Sequence, residues 1–221
     1  MKNNNGLNDY NFDIGEVIGE SYELIKSFKL MFWSATLIYF IPSIAIAMLI
    51  DKFYTDNLFV GIFSSLIMSI TISPLSVGAS MLMLNYARGK NIILKDIFNY
   101  YNLPIMITYF LISIVYEIIN IVQKNLNISP ESYLSTITIV TIGLFIMYVP
   151  NLVADKGIRI VDAFKLSAKG VARHFFKFIG LEIIFILILF ISILPLGIGL
   201  IWTIPMLFMA FNGVLYIKMF D

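Results

Sequence analysis

The chain has 221 residues, of which 59% are hydrophobic and 13% are charged, and its mean hydropathy is +0.89. Soluble domains are usually about 45–50% apolar and about 25% charged, so a soluble fold of this size could not cover its apolar surface. The formal charge of +1 and the absence of cysteine exclude a nucleic-acid-binding protein and a disulfide scaffold. The composition therefore predicts an integral membrane protein.

Six apolar runs have the length of about 20 residues that a membrane-spanning helix needs. They are Leu30–Ile50, Leu58–Tyr86, Leu103–Val122, Leu134–Ala154, Phe178–Leu196 and Ile198–Ile217. The second run has 29 residues, so it must tilt, break or extend beyond the bilayer. Pro195, Gly197 and Gly199 separate the last two runs and predict a tight turn between them. The fold class that we predict is an all-α, six-span transmembrane helical bundle.

Lysine and arginine are distributed unevenly along such a bundle. Thirteen of the fifteen lie before the first span, after the second or fourth, or after the sixth, and only Lys52 and Lys124 lie on the other side. Because basic residues collect on the cytoplasmic side, both termini are predicted to be cytoplasmic. Residues 1–29, which do not resemble a signal peptide, then form a cytoplasmic N-terminal segment, and residues 30–221 form the membrane domain.

Two of the predicted cytoplasmic segments read as amphipathic helices that lie in the membrane interface or pack under the bundle. In residues 13–28, the apolar face carries Ile14, Val17, Ile18, Tyr22, Ile25 and Phe28, and the opposite face carries Asp13, Glu16, Glu20 and Glu23. In residues 158–175, the apolar face carries Val161, Phe164, Ala168, Val171 and Phe175, and the polar face carries Arg159, Asp162, Lys165, Lys169 and Arg173.

A loose pattern of apolar, any, acidic, any, aromatic precedes each predicted pair of spans. Its three copies are Ile18–Gly–Glu20–Ser–Tyr22, Leu94–Lys–Asp96–Ile–Phe98 and Ile160–Val–Asp162–Ala–Phe164. The second span of each pair contains a proline (Pro74, Pro150 and Pro205), where we expect a helix kink. The pattern predicts three repeats of an interfacial amphipathic helix followed by a transmembrane hairpin.

Two stretches carry a resemblance to a known family. They read Tyr148–Val–Pro150–Asn–Leu–Val–Ala–Asp155–Lys–Gly157 followed by Asp162, Ala163 and Ser167, and Gly197–Ile–Gly199–Leu–Ile–Trp–Thr–Ile–Pro205 followed by Tyr216. Together they resemble a superfamily of six-helix bacterial integral membrane proteins, which includes YciC-like proteins and the membrane domain of some glycerophosphodiester phosphodiesterases. The resemblance implies a six-helix bundle in a bacterial inner membrane. It implies no phosphodiesterase activity, because the soluble catalytic domain is absent.

Two acidic residues are candidates for binding a ligand or a partner. Asp155 ends the fourth span just before Gly157, which suits a left-handed helix cap. It either binds a ligand or pairs with a basic neighbour such as Lys156 or Arg159, and the second interpretation is favoured. Glu182, inside the fifth span, either pairs with a neighbouring helix or binds a ligand head group, because an unpaired buried carboxylate is costly.

Lys165, Lys169 and Arg173 form the third candidate site. They either contact anionic lipid head groups or lie against the acidic N-terminal helix. The favoured interpretation is a topological signal whose consequence is lipid contact.

The kink at Pro74 has two interpretations as well. It marks a discontinuous helix of the transporter kind or, as favoured here, a bend packed against its neighbours.

The residues that most catalytic sites need are missing from the sequence. There is one histidine, and no hydrolase, zinc or nucleotide-binding motif is present, so we predict no metal, no cofactor and no enzymatic activity. The leading hypothesis is a non-catalytic membrane protein that organises or handles lipids or a partner membrane complex. The alternative is a small transporter or permease subunit, and a third, weaker hypothesis is a membrane enzyme that uses Asp155 and Glu182.

Overall fold

The computed structural model describes residues 12–27, 29–52, 58–194 and 198–221, with all of their side chains except those of residues 27, 29, 58, 198 and 201–208. Every regular element in these ranges is helical. The helices are α1 (Ile14–Ser27), α2 (Lys29–Asp51), α3 (Leu58–Thr71), α4 (Ser73–Ala87), a 3-10 helix (Leu94–Tyr100), α5 (Leu103–Asn125), α6 (Tyr133–Ile146), α7 (Val149–Lys156), α8 (Ile160–Arg173), α9 (Phe175–Ile193) and α10 (Ile198–Phe220).

Several of these helices are long and apolar enough to cross a membrane. Four segments meet this condition singly, and α3 with α4 forms a fifth if the bent pair is one span. The four are Leu30–Asp51, Leu103–Asn125, Tyr133–Lys156 and Phe175–Ile193. These helices confirm the all-α class and fit an integral membrane protein. The sixth span stays a prediction, because the described side chains of α10 give only the shorter apolar segment Met209–Phe220. Of the turn predicted at residues 195–199, residues 195–197 lie outside the described residues, and residues 198 and 199 belong to α10.

The long second run is broken rather than tilted as one helix. A bend of 40° separates α3 from α4, and Pro74 lies in the first turn of α4, where its missing N–H would have no helical partner anyway. The Tyr101 hydroxyl donates a hydrogen bond of 2.7 Å to the carbonyl of Thr71 at the end of α3. Pro150 likewise lies in the first turn of its helix, α7. Pro205 lies inside the continuous backbone of α10, and its side chain is not described.

The core of the bundle forms where α4, α7 and α10 meet, with the 3-10 helix against α4. Tyr148 and Tyr216 are fully buried at this junction. The 3-10 helix approaches so closely that a Cβ added at Gly78 would lie 2.1 Å from the carbonyl oxygen of Ile97. Gly157 ends α7 with a φ of 60°, in the left-handed region that suits glycine.

Both predicted amphipathic helices are present, as α1 and α8. Val17 and Val171, from their predicted apolar faces, are buried, whereas Tyr22 and Val161 from the same faces are 60% and 63% exposed in the protein. Small or polar residues are buried beside the two valines: Ser21 in α1, and Ala163, Ser167 and Gly170 in α8. Small side chains let a helix approach its neighbour closely, and hydropathy alone does not detect this.

Candidate functional site

Arg88, the residue that follows α4, holds together three segments of the chain. Its Nη1 and Nη2 donate hydrogen bonds of 2.7 and 2.8 Å to the two carboxylate oxygens of Asp155. Its Nε and Nη2 each donate a hydrogen bond of 2.7 Å to Asp221. The Tyr216 hydroxyl donates to Asp155 at 2.9 Å. We call these four residues the Arg88 network. Bidentate arginine–carboxylate pairs are among the strongest hydrogen bonds in proteins.

The electrostatics of the Arg88 network favour a permanently charged guanidinium. The side chains of Arg88 and Asp155 are only 17% and 14% exposed. The hydrogen bonds to Asp155, followed by those to Asp221, raise the pKa of Arg88 above its already high value. Both carboxylate oxygens of Asp155 are already engaged, so this residue is better suited to connecting helices than to binding a ligand.

Asp155 therefore pairs with a basic residue, as favoured, but that residue is Arg88 rather than Lys156 or Arg159. Lys156 donates instead to the carbonyl oxygen of Phe220, and Arg159 pairs with Asp162 at 2.8 Å. Arg88 lies 67 residues before Asp155 in the chain, so a search among sequence neighbours could not find it. A signal was present in the composition of the chain, because Arg88 is one of only three arginines.

A cavity with a mixed apolar and polar lining lies inside the bundle, next to the Arg88 network. It has a volume of about 240 Å³, and we call it the central chamber. Its lining comes from α2, α4, α5, α7 and α10 and the residues between α6 and α7: Thr36, Tyr39, Phe40, Ser76, Ala79, Ser80, Tyr109, Met147, Tyr148, Pro150, Asn151, Met209 and Asn212. None of these side chains carries a formal charge, yet most of them have a hydroxyl or amide group. Sequence analysis missed this site, because its polar residues are scattered over distant helices.

Several hydrogen-bonding groups of the central chamber remain available to a ligand. The Tyr109 hydroxyl donates to Ser76 at 3.4 Å, and the Asn151 amide donates to Ser80 at 3.0 Å. Within the described residues, the hydroxyl protons of both serines have no acceptor, and the side-chain oxygen of Asn151 has no donor. The chamber therefore offers both donors and acceptors.

A second cavity, the outer groove, extends from the central chamber toward the far ends of α2 and α3. It has a volume of about 550 Å³ and shares Tyr109 with the chamber. Serines line it on α3, at the start of α4 and on α5: Ser64, Ser65, Ser69, Ser73 and Ser113. Phe40, on the wall of the chamber, is 45% exposed. The chamber and the outer groove adjoin at Tyr109, and apolar side chains form most of the surface of both.

Glu182 lies behind the central chamber. It lines a small pocket of about 30 Å³ that shares Met147 and Asn212 with the chamber. The described part of the chain gives this half-buried carboxylate no hydrogen bond and no ion pair, so the expected pairing with a neighbouring helix is not seen there. The alternative, a role toward a ligand, remains a prediction.

The basic residues of α8 lie on the surface of the protein. Lys165, Lys169 and Arg173 are all exposed. Arg173 has an interaction of its own within the protein. Glu16 and Glu20 of α1 pair with Lys218 of α10 at 3.1 and 2.9 Å, which places α1 against α10. Contact of Lys165 and Lys169 with lipid head groups stays a prediction.

Comparison with family models, with curated proteins and with solved structures gives no match to this chain. The family resemblance therefore stays a prediction.

Proposed function

We propose that the chain is a non-catalytic integral membrane protein that handles lipids. The observation that carries this proposal is the central chamber, a cavity inside the bundle whose mostly apolar lining includes several hydroxyl and amide groups. Ligand sites typically combine a concave shape with a few convergent polar groups, and this chamber has both. Its wall reaches the lipid-facing surface at Phe40, which gives an amphiphile a lateral route of entry.

The same proposal places the protein in the inner membrane of a bacterium, with its N- and C-termini in the cytoplasm. The distribution of lysine and arginine supports this orientation. In this orientation, Lys165, Lys169 and Arg173 of α8 face the anionic cytoplasmic leaflet, where each basic residue contributes about 1 kcal/mol of attraction. Anionic lipids are then partners at the surface, and a partner membrane protein remains an open part of the proposal.

Filling the central chamber should remove a bound lipid. Ser76→Leu places an apolar side chain in the chamber, whereas Ala45→Leu adds the same side chain to the exposed face of α2. We expect mass spectrometry of gently purified protein to find a selectively enriched lipid in the wild type and in Ala45→Leu, and at least about fivefold less of it in Ser76→Leu.

Size-exclusion profiles of the two variants test whether both fold. Equal lipid enrichment in well-folded Ser76→Leu and wild-type protein would contradict the proposal. A stoichiometric protein partner without an enriched lipid would point instead to an accessory role in a complex.

Transport is the second candidate function, and one observation favours it. The helix breaks before α4 and α7 both adjoin the central chamber, which Ser76 lines on one side and Tyr148 and Asn151 on the other. Discontinuous helices at a central cavity are typical of secondary transporters.

If this chain transports its ligand, Glu182→Gln should abolish ligand flux in proteoliposomes while folding and insertion persist. Unchanged flux in this variant would remove Glu182 from the transport hypothesis.

Neutralising the exposed face of α8 should weaken contact with anionic lipid. Replacing Lys165, Lys169 and Arg173 together with glutamine should reduce the enrichment of phosphatidylglycerol around the protein at least about fivefold in mixed-lipid nanodiscs. The double substitution of Lys52 and Lys124 with glutamine is the control, because these lysines are predicted on the opposite side. Similar losses in the two variants would show that α8 has no specific role.

A further inference from the structure

The lining of the central chamber indicates which head group it accepts. We infer that the chamber binds an amphiphile whose head group is uncharged and carries several hydroxyl groups, of a size between glycerol and a hexose. This inference rests on the proposed lipid-handling function and adds the chemical class of the ligand.

The first argument is that none of the described residues lining the chamber carries a formal charge. A head group that leaves water for this cavity loses its hydration, and a charged one would find no side chain of opposite sign on the chamber wall. Burying an unpaired charge costs several kcal/mol or more. Glu182 is not part of the chamber wall, because it lines a separate pocket of about 30 Å³ that shares only Met147 and Asn212 with the chamber.

The second argument is the balance of hydrogen-bonding groups. Ser76 and Ser80 have hydroxyl protons to donate, and the side-chain oxygen of Asn151 can accept. A hydroxyl group both donates and accepts, so a ligand with two or more hydroxyls satisfies all three residues at once. A ketone or ester would leave the Asn151 oxygen without a donor, and a buried unsatisfied group is costly.

The third argument is the size and surroundings of the chamber. A volume of 240 Å³ corresponds to about eight water molecules at bulk density, which is room for a small polyol but not for a long oligosaccharide. The ligand's hydrocarbon chain does not need the same cavity. It can follow the outer groove past Tyr109 or leave beside Phe40 into the surrounding lipid.

Amphiphiles that share one oleoyl or oleyl chain test this inference, because only the head group then differs. The probes are monooleoylglycerol with two free hydroxyls, sodium oleate with a negative charge, and oleylamine with a positive charge. Binding is measured by native mass spectrometry and by the shift in unfolding temperature, with the protein in detergent micelles. Monooleoylglycerol should bind the wild type at least about tenfold more tightly than either charged probe.

Variants locate the site and separate the possible failures. Asn151→Leu should reduce the affinity for monooleoylglycerol at least about tenfold, and Ala45→Leu should leave it unchanged. If oleate or oleylamine binds as tightly as monooleoylglycerol and Asn151→Leu weakens that binding, the head-group class is wrong while the lipid-handling function stands. If no probe binds more tightly to the wild type than to the Ser76→Leu variant, the proposed function itself fails.

Discussion

Replacing Arg88 with alanine should lower the free energy of unfolding by about 2–4 kcal/mol, because the Asp155 carboxylate would keep its burial and lose its charge partner. Arg88 also holds Asp221, so the substitution releases two carboxylates at once. Unfolding of the purified protein in mixed micelles, followed by the loss of helical circular dichroism, measures this change.

Arg159 provides a matched control for this experiment. It is also an arginine paired with an aspartate, at 2.8 Å from Asp162, but its side chain is 87% exposed. An exposed pair contributes about 1 kcal/mol or less, so Arg159→Ala should have a small effect. Arg88→Lys should fall between the two alanine variants, because lysine keeps the charge but cannot form the two-pronged contact. Equal losses for Arg88→Ala and Arg159→Ala would show that the Arg88 network contributes no more than a surface pair.

Gly78→Ala should displace the 3-10 helix from α4 and destabilise the fold by about 2–3 kcal/mol. The added Cβ would lie 2.1 Å from the carbonyl oxygen of Ile97, and a backbone atom cannot move aside as a flexible side chain can. The chain has no cysteine, so Ile97→Cys introduces a single thiol at a fully buried position. Maleimide should label that thiol at least about tenfold faster when Gly78→Ala is also present.

Gly19 in α1 is the control for Gly78. A Cβ added there meets no atom within 4 Å, so Gly19→Ala should leave labelling of the introduced thiol unchanged. It should also stabilise α1 by up to about 1 kcal/mol, because alanine has the higher helix propensity. Equally slow labelling in both glycine variants would contradict the expected displacement of the 3-10 helix from α4.

Much of the helical framework could be predicted from the sequence, because long apolar runs and helix-breaking residues are local signals. The predicted start of the third span at Leu103 is also the start of α5. The 29-residue second run was expected to tilt, break or extend beyond the bilayer, and it breaks between α3 and α4. Gly157 was assigned correctly for the same reason, since a left-handed cap depends on one position. These features need no knowledge of which helices meet.

The features that depend on which helices meet could not be predicted. Asp155 was assigned to neighbours in the chain, but its partner Arg88 follows a different helix. Two other features also depend on which helices pack together: the approach of Ile97 to Gly78 and the convergence of polar residues on the central chamber. The burial of Ser167 in α8 is a further example, because this polar residue donates a hydrogen bond to the carbonyl of Phe145 in α6.

The Arg88 network also has a geometric consequence for the central chamber. Two of its members lie one helical turn beyond chamber residues: Asp155 follows Asn151 on α7, and Tyr216 follows Asn212 on α10. Arg88 follows α4, the helix that carries Ser80. The short contacts of the network therefore fix the spacing of three chamber walls at one end, and rigid helices carry that spacing into the cavity. The chamber is preorganised, so an entering ligand does not have to separate α4, α7 and α10 before it binds.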